Sequence, residues 1–388
     1  MSNNPCMDNA FPEPLFVGRP NIGSREAFMK LAGEIFDRCW LSNNGPLVQE
    51  LEQRIADYLG VRHCVAMCNG TIALEIAIRA LKMEGEVILP SYTFIATAHA
   101  LHWQGITPVF ADIDPVTHNL DPEAVRRAIT PRTTGIIGVH VWGRPAPVKA
   151  LQELAGEHGL QLMYDAAHAF GCSHHGRMIG NFGRAEVLSF HATKFFNTFE
   201  GGAVVTNEDE LAEEMRLMRN FGFKGFDNVI HPGTNGKMTE ICAAMGLVNL
   251  DALPEVLAVN KRNYHAYRDA LADMPGLSLL PYDEVETNNY QYIVVEVGPE
   301  CPATRDELVA ALHTKNVIAR KYFWPGCHNM KPYSELFPNA GRTLPNTKRV
   351  ADRVLLLPTG TAVDEQTIRS IARILGRVPY TPDSRDAG

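Results

Sequence analysis

Long apolar runs are absent from this sequence of 388 residues, and so is any excess of positive charge. No stretch approaches the ~20 consecutive apolar residues that span a bilayer, and the first residues lack the basic start and apolar segment of a signal peptide. The formal net charge is -8, without a lysine- and arginine-rich stripe. The sequence therefore predicts a cytoplasmic protein that binds neither membranes nor nucleic acids.

Metal-binding and redox motifs are also missing. The eight cysteines are spread over the whole chain without a Cys-x-x-Cys pair, so we expect free thiols. The adjacent pair His174-His175 has no cysteine or carboxylate at metal-ligand spacing, and we predict no metal site. The Gly-rich loops of common nucleotide-binding proteins are not recognisable after the strands either.

Between residues 64 and 207, short apolar runs alternate with amphipathic segments of helical period. This alternation is typical of an α/β protein with a mostly parallel sheet between layers of helices. We predict a large domain over residues 21–252, preceded by an N-terminal arm over residues 1–20, which contains several prolines and no period. Seven strands are predicted, at residues 64–68, 86–90, 108–113, 135–141, 160–165, 186–190 and 202–206.

After residue 252 the pattern predicts a smaller α+β domain over residues 253–388. A long helical region from about residue 237 to residue 271 should bend near Pro254, since proline lacks a backbone donor. Strands are predicted at residues 277–280, 290–297 and 318–323. A helix should follow Thr304, which has capping-box spacing to Glu307, and a last helix should cover residues 364–375.

The most informative stretch is Val187-Leu-Ser-Phe-His-Ala-Thr-Lys194, an apolar strand that ends in a polar bend before Gly201-Gly202. A lysine delivered into such a bend, beside a hydroxyl, an imidazole and a flexible glycine turn, suits an amine that forms and breaks a covalent imine. The competing interpretation is an ordinary surface lysine after a strand. The choice between them depends on the rest of the chain.

Three other strand ends carry residues that suit a ligand. The backbone N–H groups of Asn69-Gly70-Thr71 lie at a helix start and can bind an anion, although an asparagine N-cap without a ligand has the same pattern. Phe94 offers a flat apolar face, or it only packs. Asp165, in Asp165-Ala-Ala-His168, closes a buried strand where a carboxylate needs a partner.

These features fit one cofactor, pyridoxal 5'-phosphate. It needs a phosphate anchor, a surface on which its ring stacks, a carboxylate that keeps its pyridinium protonated and a lysine that forms an imine with its aldehyde. The sequence offers a candidate for each requirement: residues 69–71 for the phosphate, Phe94 for the ring, Asp165 for the pyridinium and Lys194 for the imine. Each signal is weak alone, but their order and spacing are hard to explain otherwise.

From about residue 16 to residue 376 the sequence resembles the nucleotide-sugar aminotransferases of the DegT/DnrJ type, which have the fold-type I (aspartate aminotransferase-like) architecture. The matching motifs include Trp40-Leu-Ser-Asn-Asn-Gly-Pro46, Asn69-Gly-Thr-Ile-Ala-Leu74, Pro90-Ser-Tyr-Thr-Phe-Ile-Ala-Thr97, Asp165-Ala-Ala-His168, Ser189-Phe-His-Ala-Thr-Lys194, Glu200-Gly-Gly202, Gly233-Thr-Asn-Gly-Lys-Met238 and Arg320-Lys-Tyr-Phe323 near His328. Together these motifs are highly specific.

The resemblance implies how the phosphate and ring are bound. Gly70 and Thr71 would hold the phosphate by backbone and hydroxyl, with Ser189 as a further ligand, and Phe94 would stack on the ring. Asn69 stands where the family usually has serine, and the asparagine side chain can still form a hydrogen bond.

The resemblance also implies the catalytic groups. Asp165 would pair with the ring nitrogen, His168 would lie near the phenolic oxygen, and Lys194 would be both covalent tether and proton carrier. His168 stands where glutamine is common in the family. Asn235 would reach the phosphate of a partner subunit, so the active site would require a homodimer.

The function that the resemblance implies is amination of a nucleotide-linked keto sugar with L-glutamate as donor. The motifs around residues 68–75 and 189–200 are most similar to those of enzymes that aminate C-4 of dTDP-4-keto-6-deoxyglucose. Amination at C-3 or of a cyclitol ketone is the nearest alternative, and a non-catalytic regulator that binds the cofactor is a remote one. The related dehydratases have histidine in place of Lys194, which disfavours dehydration.

Residues near the sugar or nucleotide are harder to identify. Our candidates are Lys224, Lys237, Tyr322, Trp324 and His328. For each of them, an exposed charge or a packed aromatic ring is an equally good interpretation.

Overall fold

A computed structural model describes residues 10–378 of the chain. Residues 1–9 of the predicted arm and residues 379–388 of the predicted small domain lie outside the described residues. The proposed domain boundaries therefore stay a prediction at both ends. Leu15–Phe16, within the predicted arm, pairs in parallel with Val317–Ile318, so this part of the arm is attached to the C-terminal region.

The strands of the described chain form one large sheet and three small ones. In chain order they are β1 Leu15–Phe16, β2 His63–Met67, β3 Glu86–Pro90, β4 Thr107–Ala111, β5 Thr133–Val139, β6 Gln161–Asp165, β7 Ser173–His174, β8 Arg177–Met178, β9 Ala185–Ser189, β10 Gly202–Thr206, β11 Leu277–Leu279, β12 Ile293–Val297, β13 Val317–Ile318 and β14 Val354–Leu357.

The large sheet has seven strands in the order β2-β10-β9-β6-β5-β3-β4. The five strands β9, β6, β5, β3 and β4 run parallel to one another, whereas β10 is antiparallel to both β9 and β2. The prediction of a mostly parallel, seven-stranded sheet is confirmed. Because the carboxyl ends of the parallel strands lie at one edge, Asp165 and Ser189 end their strands at the same edge of the sheet.

Most helices of the described chain pack on the two faces of the large sheet or against the C-terminal sheet. They are α1 Arg25–Arg38, α2 Pro46–Leu59, α3 Gly70–Ala80, α4 Ile95–His102, α5 Pro122–Ala128, α6 Val148–His158, α7 Asp209–Met218, α8 Glu240–Asp251, α9 Leu253–Leu271, α10 Arg305–Thr314, α11 Tyr333–Leu336, α12 Pro345–Arg353 and α13 Glu365–Leu375.

Both faces of the large sheet are buried. Strand β2 shows the alternation, because Val65 and Met67 pack with α3, α4 and α7, while Cys64 and Ala66 face the opposite core with α2 and α8. The remaining part of that second face packs with α5 and α6. Two covered faces explain why the strands read as nearly continuous apolar runs.

The C-terminal region has its own core, formed by the antiparallel sheet β11-β12-β14 with α9, α10 and α13. The predicted strand at residues 318–323 is wrong. Only Val317–Ile318 is a strand, and after it Arg320 makes a single bridge to Leu356. The third strand of the sheet is instead Val354–Leu357, a short apolar run that follows α12 directly.

The predicted bend near Pro254 is confirmed. Helices α8 and α9 meet at Ala252 and are inclined by 61°. Over residues 10–378 no single helix has the length and apolar composition to cross a membrane. Taken together, the bent pair of α8 and α9 has the length and apolar composition of a membrane span, by these two criteria alone.

The glycine pair at the start of β10 serves close packing rather than an unusual turn. A Cβ on Gly202 would lie 2.6 Å from both the carbonyl carbon of Asn69 and the nitrogen of Gly70, and a Cβ on Gly201 would overlap Thr198. Neither glycine has a positive φ. Strand β10 therefore touches the first residues of α3, which places the start of that helix beside β9.

We expect Gly202→Ala to destabilise the protein because the new methyl group pushes β10 away from α3. A loss of about 1–3 kcal/mol in the free energy of unfolding is typical of such overpacking, and urea denaturation would measure it. Gly156→Ala is the control. Gly156 lies exposed in α6 with no atom near an added Cβ, so helix propensity should raise stability by about 0.5–1 kcal/mol. Equal effects of the two substitutions would contradict this account.

Candidate functional site

Lys194 lies in the loop between β9 and β10, where its backbone N–H donates to the carbonyl of His191 at 2.8 Å. Its side chain is partly buried and its Nζ lies 3.5 Å from the hydroxyl of Tyr292. Burial lowers the pKa of Lys194 to about 8, against the opposing attraction of the Asp165 carboxylate. At this pKa about a tenth of the amine is uncharged at pH 7, far more than for an ordinary lysine, and the uncharged form is the nucleophile and proton acceptor.

Asp165 closes β6 and is buried. One carboxylate oxygen accepts from the Thr97 hydroxyl at 2.8 Å, and the other accepts from the backbone N–H of Ala167 at 3.0 Å. Burial raises the pKa of Asp165, and these hydrogen bonds and the charge of Lys194 act in the opposite direction. The hydrogen-bond donors that it has are neutral, so a cationic N–H group would be a favourable further partner.

His168 is held inside a group of aromatic rings. Its ring lies 5.7 Å from that of Trp142 in a nearly parallel arrangement, 5.7 Å from Phe323, and 4.5 Å from Tyr292 in a tilted one. Burial, and then the charge of Lys194, lower the pKa of His168 well below its usual value. The imidazole is therefore neutral. Since Nδ1 accepts from the Trp142 backbone N–H at 3.3 Å, the proton is on Nε2.

The predicted anion site lies at the start of α3. The side chain of Asn69 accepts from the N–H of Ile72 at 2.8 Å, so it is an N-cap, as one interpretation held. An N-cap leaves other first-turn N–H groups, including those of Gly70 and Thr71, without acceptors inside the helix. A Cβ on Gly70 would lie 3.3 Å from the Ser189 hydroxyl, so that hydroxyl lies beside the helix start.

Phe94 precedes α4 and is 56% exposed. It lines a cavity of about 370 Å³ together with Arg320, Tyr322 and Trp324 from the C-terminal region. The guanidinium of Arg320 lies 4.7 Å from the centre of the Tyr322 ring. Two of the five candidate sugar or nucleotide residues, Tyr322 and Trp324, are thus brought to the same cavity as the candidate ring-stacking residue.

The other candidates lie elsewhere. His328 is buried with Nδ1 2.7 Å from the Ser91 hydroxyl, a contact that attaches its turn to the end of β3. The ammonium of Lys237 lies 4.5 Å from the centre of the Phe221 ring. Lys224 is exposed, and its backbone N–H donates to Asn228. Asn235 is exposed as well, and its backbone bridges to Asn220.

Three residues that contact the predicted groups were missed by sequence reasoning. Thr97 lies within a motif that the sequence marks, and its hydroxyl, 3.0 Å from that of Thr93, binds Asp165. Trp142 and Tyr292 offer no such signal, because in the sequence each is an apolar residue near the end of a strand. Only the packing of the C-terminal region on the large sheet brings Tyr292 to Lys194.

The arrangement can carry out three chemical tasks. Lys194 offers an amine that is partly uncharged, Asp165 offers a buried carboxylate for a cation, and the start of α3 with Ser189 offers donors for an anion. A ligand with an anionic group and a basic ring fits this set of groups.

Known proteins are similar to this chain over nearly its whole length. The DegT/DnrJ/EryC1/StrS aminotransferase family matches residues 23–376. A Shigella dysenteriae protein named dTDP-4-amino-4,6-dideoxy-D-glucose transaminase is 38% identical over 368 residues, which cover 94% of this chain and 99% of that relative. A GDP-perosamine synthase of Caulobacter vibrioides is 35% identical, with 93% of this chain and 97% of the relative covered.

Solved structures are similar over the same length. The structure of DesI in the presence of its TDP-sugar product has a TM-score of 0.90 and 49% sequence identity, and 95% of each chain is covered. Helicobacter pylori PseC, an aminotransferase of pseudoaminic acid biosynthesis, has a TM-score of 0.86 and 26% identity, with 94% of this chain and 98% of that chain covered.

Replacing Lys194 with methionine should stabilise the cofactor-free protein at pH 7. The pKa of Lys194 is about 8 when folded and 10.5 in its unperturbed state. At pH 7 the amine is mostly charged in both states, so folding carries most of the cost of burying the charge. Between these pKa values the unfolded chain binds more protons, so wild-type stability rises relative to the variant as pH rises. The pH-dependent part of the gap should be about 1–3 kcal/mol.

Urea unfolding at pH 7 and pH 10.5 measures this gap. Lys149→Met is the matched control, because the side chain of Lys149 is 90% exposed. Its stability difference from the wild type should not change with pH. A Lys194→Met difference that is the same at both pH values would contradict the burial of the amine.

Proposed function

Because the chain belongs to the DegT/DnrJ/EryC1/StrS aminotransferase family, we propose that it transfers the amino group of L-glutamate to C-4 of dTDP-4-keto-6-deoxyglucose. The product would be the 4-amino-4,6-dideoxy sugar. The observation that carries this proposal is the family match over residues 23–376, in a chain where the buried Asp165 ends β6 and Lys194 follows β9. The names of its relatives support the sugar and the position of the amine.

The residues present fit pyridoxal 5'-phosphate as cofactor. A buried carboxylate whose hydrogen-bond donors are neutral suits a protonated ring nitrogen, and a helix start beside a serine suits a phosphate. When bound, the cofactor supplies a ring that accepts electrons from the substrate carbon. The residues that would hold it are Gly70, Thr71, Phe94, Asp165, His168, Ser189 and Lys194, with Asn235 from a partner subunit.

Lys194 would tether the cofactor and move the proton. With a pKa of about 8, its Nζ can take a proton from the α-carbon of glutamate and return one to C-4 of the sugar. An ordinary lysine, with a pKa of about 10.4, would be almost entirely protonated at neutral pH and would accept protons poorly. Burial of the side chain thus prepares the amine for this role.

Asp165 and His168 would control protons around the ring. The Thr97 hydroxyl and the Ala167 N–H orient the Asp165 carboxylate, which would keep a ring nitrogen protonated. The neutral His168 cannot lose a proton to the ring's oxygen, but its Nε2–H can donate a hydrogen bond. The imidazole packs beside the stacked rings of Trp142 and Phe323, which restricts its rotation.

The cavity at Phe94 would receive the nucleotide-linked sugar. Arg320 can bind a diphosphate, because a guanidinium is always charged and binds phosphate oxygens with two donors. Tyr322 and Trp324 supply flat rings on which a sugar or base can lie. The buried His328 would support this cavity through Ser91 rather than contact the substrate.

The loop before Asn235 supports a shared active site in a homodimer. Phe226 is 97% exposed, and Phe223, Val229 and Ile230 are exposed too. A cluster of exposed apolar side chains marks an interaction surface. We propose that this loop, with Lys224 and Asn235, reaches the site of the partner subunit, where Asn235 would bind the phosphate.

Turnover of dTDP-4-keto-6-deoxyglucose with L-glutamate tests the function. The loaded enzyme should release 2-oxoglutarate, and NMR of the sugar should place the amine at C-4. The corresponding GDP-linked keto sugar serves as the competing substrate, because a GDP-perosamine synthase is among the relatives. Absence of product, or an amine at C-3, would overturn the proposal.

Two controls accompany that assay. Borohydride reduction followed by peptide mass mapping should locate the cofactor on Lys194. Lys194→Ala should reduce kcat by at least about 1,000-fold, since it removes both the tether and the proton carrier. Lys149→Ala, at an exposed position outside the site, should keep wild-type activity.

Subunit complementation tests the shared site. Lys194→Ala and Asn235→Ala should each be nearly inactive alone. When the two variants are unfolded together and refolded, half of the dimers are mixed and half of the sites in these are intact, so about a quarter of wild-type activity should return. Activity equal to the mean of the two variants would show that Asn235 does not act across the interface.

A further inference from the structure

We propose that Tyr292 is a positioning residue that holds Nζ of Lys194 in place between its two proton transfers. This role rests on the proposed function, in which Nζ takes a proton from the donor carbon and returns one to the sugar carbon. The geometry points to it directly, since the Tyr292 hydroxyl lies 3.5 Å from Nζ.

The ring of Tyr292 is fixed from several sides. It lies 4.5 Å from the ring of His168 and 5.3 Å from that of Trp142, and the residue is 6% exposed. The hydroxyl of Tyr282 donates to the backbone carbonyl of Tyr292 at 3.3 Å. The hydroxyl of Tyr292 is thus a stationary contact for a flexible side chain.

A phenol suits an amine that changes its charge. The hydroxyl oxygen accepts a hydrogen bond from the ammonium form, and the hydroxyl proton can be donated to the neutral amine. A carboxylate at this position would stabilise only the ammonium form of Lys194, so the lysine would hold its proton more tightly. Tyrosine can therefore keep contact with Nζ both before and after each transfer.

The surrounding groups keep this phenol protonated. Burial raises the pKa of Tyr292 well above its usual value, and the neighbouring Tyr322, Tyr282 and Asp165 raise it further. The charged or titratable groups that act on Lys194 are Asp165 and His168. Of these, Asp165 favours the ammonium and His168 is neutral, and the Tyr292 hydroxyl is an uncharged hydrogen-bond partner of the amine.

The Tyr292→Phe variant tests the proposal because it keeps the ring and removes only the hydroxyl. Tyr267→Phe is the matched control, since Tyr267 is a fully buried tyrosine whose hydroxyl binds the carbonyl of Pro358 in the C-terminal core. We expect Tyr292→Phe to lower kcat by about 10- to 100-fold with little change in KM, as misplacement of a reacting group does. Tyr267→Phe should keep kcat within about twofold of the wild type.

A second measurement does not depend on turnover. Acetic anhydride labelling of the cofactor-free protein at several pH values, read by mass spectrometry at Lys194, gives the midpoint at which the amine becomes reactive. The hydrogen bond from the charged ammonium is the stronger of the two that this hydroxyl can make, so its loss should move the midpoint to lower pH in Tyr292→Phe, whereas Tyr267→Phe should leave the midpoint unchanged.

The two measurements separate the possible failures. A lower kcat together with a shifted midpoint supports the role of Tyr292. An unchanged midpoint overturns it, and so does a kcat within about twofold of the wild type. If the wild-type enzyme aminates none of the keto sugars, the proposed function fails, and the labelling midpoint alone then decides whether Tyr292 contacts the amine.

Discussion

The burial of the Lys194 amine opposite the buried Asp165 carboxylate is the constraint on which the rest of the site depends. Burial alone would favour two neutral groups, whereas attraction between them favours two charged ones. The balance leaves Lys194 with a pKa of about 8 and raises the pKa of Asp165. Such a pair is costly in the free protein, and a ligand with a cationic ring nitrogen relieves the cost at Asp165. The protein therefore loses folding stability at Lys194 and Asp165, the two groups on which the proposed chemistry depends.

This balance requires contributions from both halves of the chain. The large sheet places Asp165 and Ser189 at one edge, and the close contact of Gly202 with residues 69 and 70 brings the start of α3 there. The C-terminal region then supplies Tyr292 and Phe323, whose rings cover His168, and the Tyr292 hydroxyl, which contacts Lys194. The site thus combines residues from both halves of the chain.

Sequence reasoning succeeded where the signal is local. The apolar runs of the large sheet, the N-cap at Asn69 and the bend near Pro254 follow from residues adjacent in the chain, and the structure agrees with them. It failed for the strand at residues 318–323, because Phe323 packs against His168 and Tyr322 lines the cavity at Phe94 instead of pairing in a sheet. It also missed the strand Val354–Leu357, whose four apolar residues are too few to distinguish a strand from a helix end.

The sequence by itself determined the α/β architecture and the family resemblance, and it predicted the order of an anion site, a ring surface, an acid and an amine, since each is encoded in one short segment. Only the tertiary structure decided which groups meet. It placed the Tyr292 hydroxyl at Lys194, joined Tyr322 and Trp324 to Phe94 in one cavity, and separated His328 from it. The physical reason is that pKa values and contacts depend on burial by residues distant in the chain, and no local pattern of side chains records that burial.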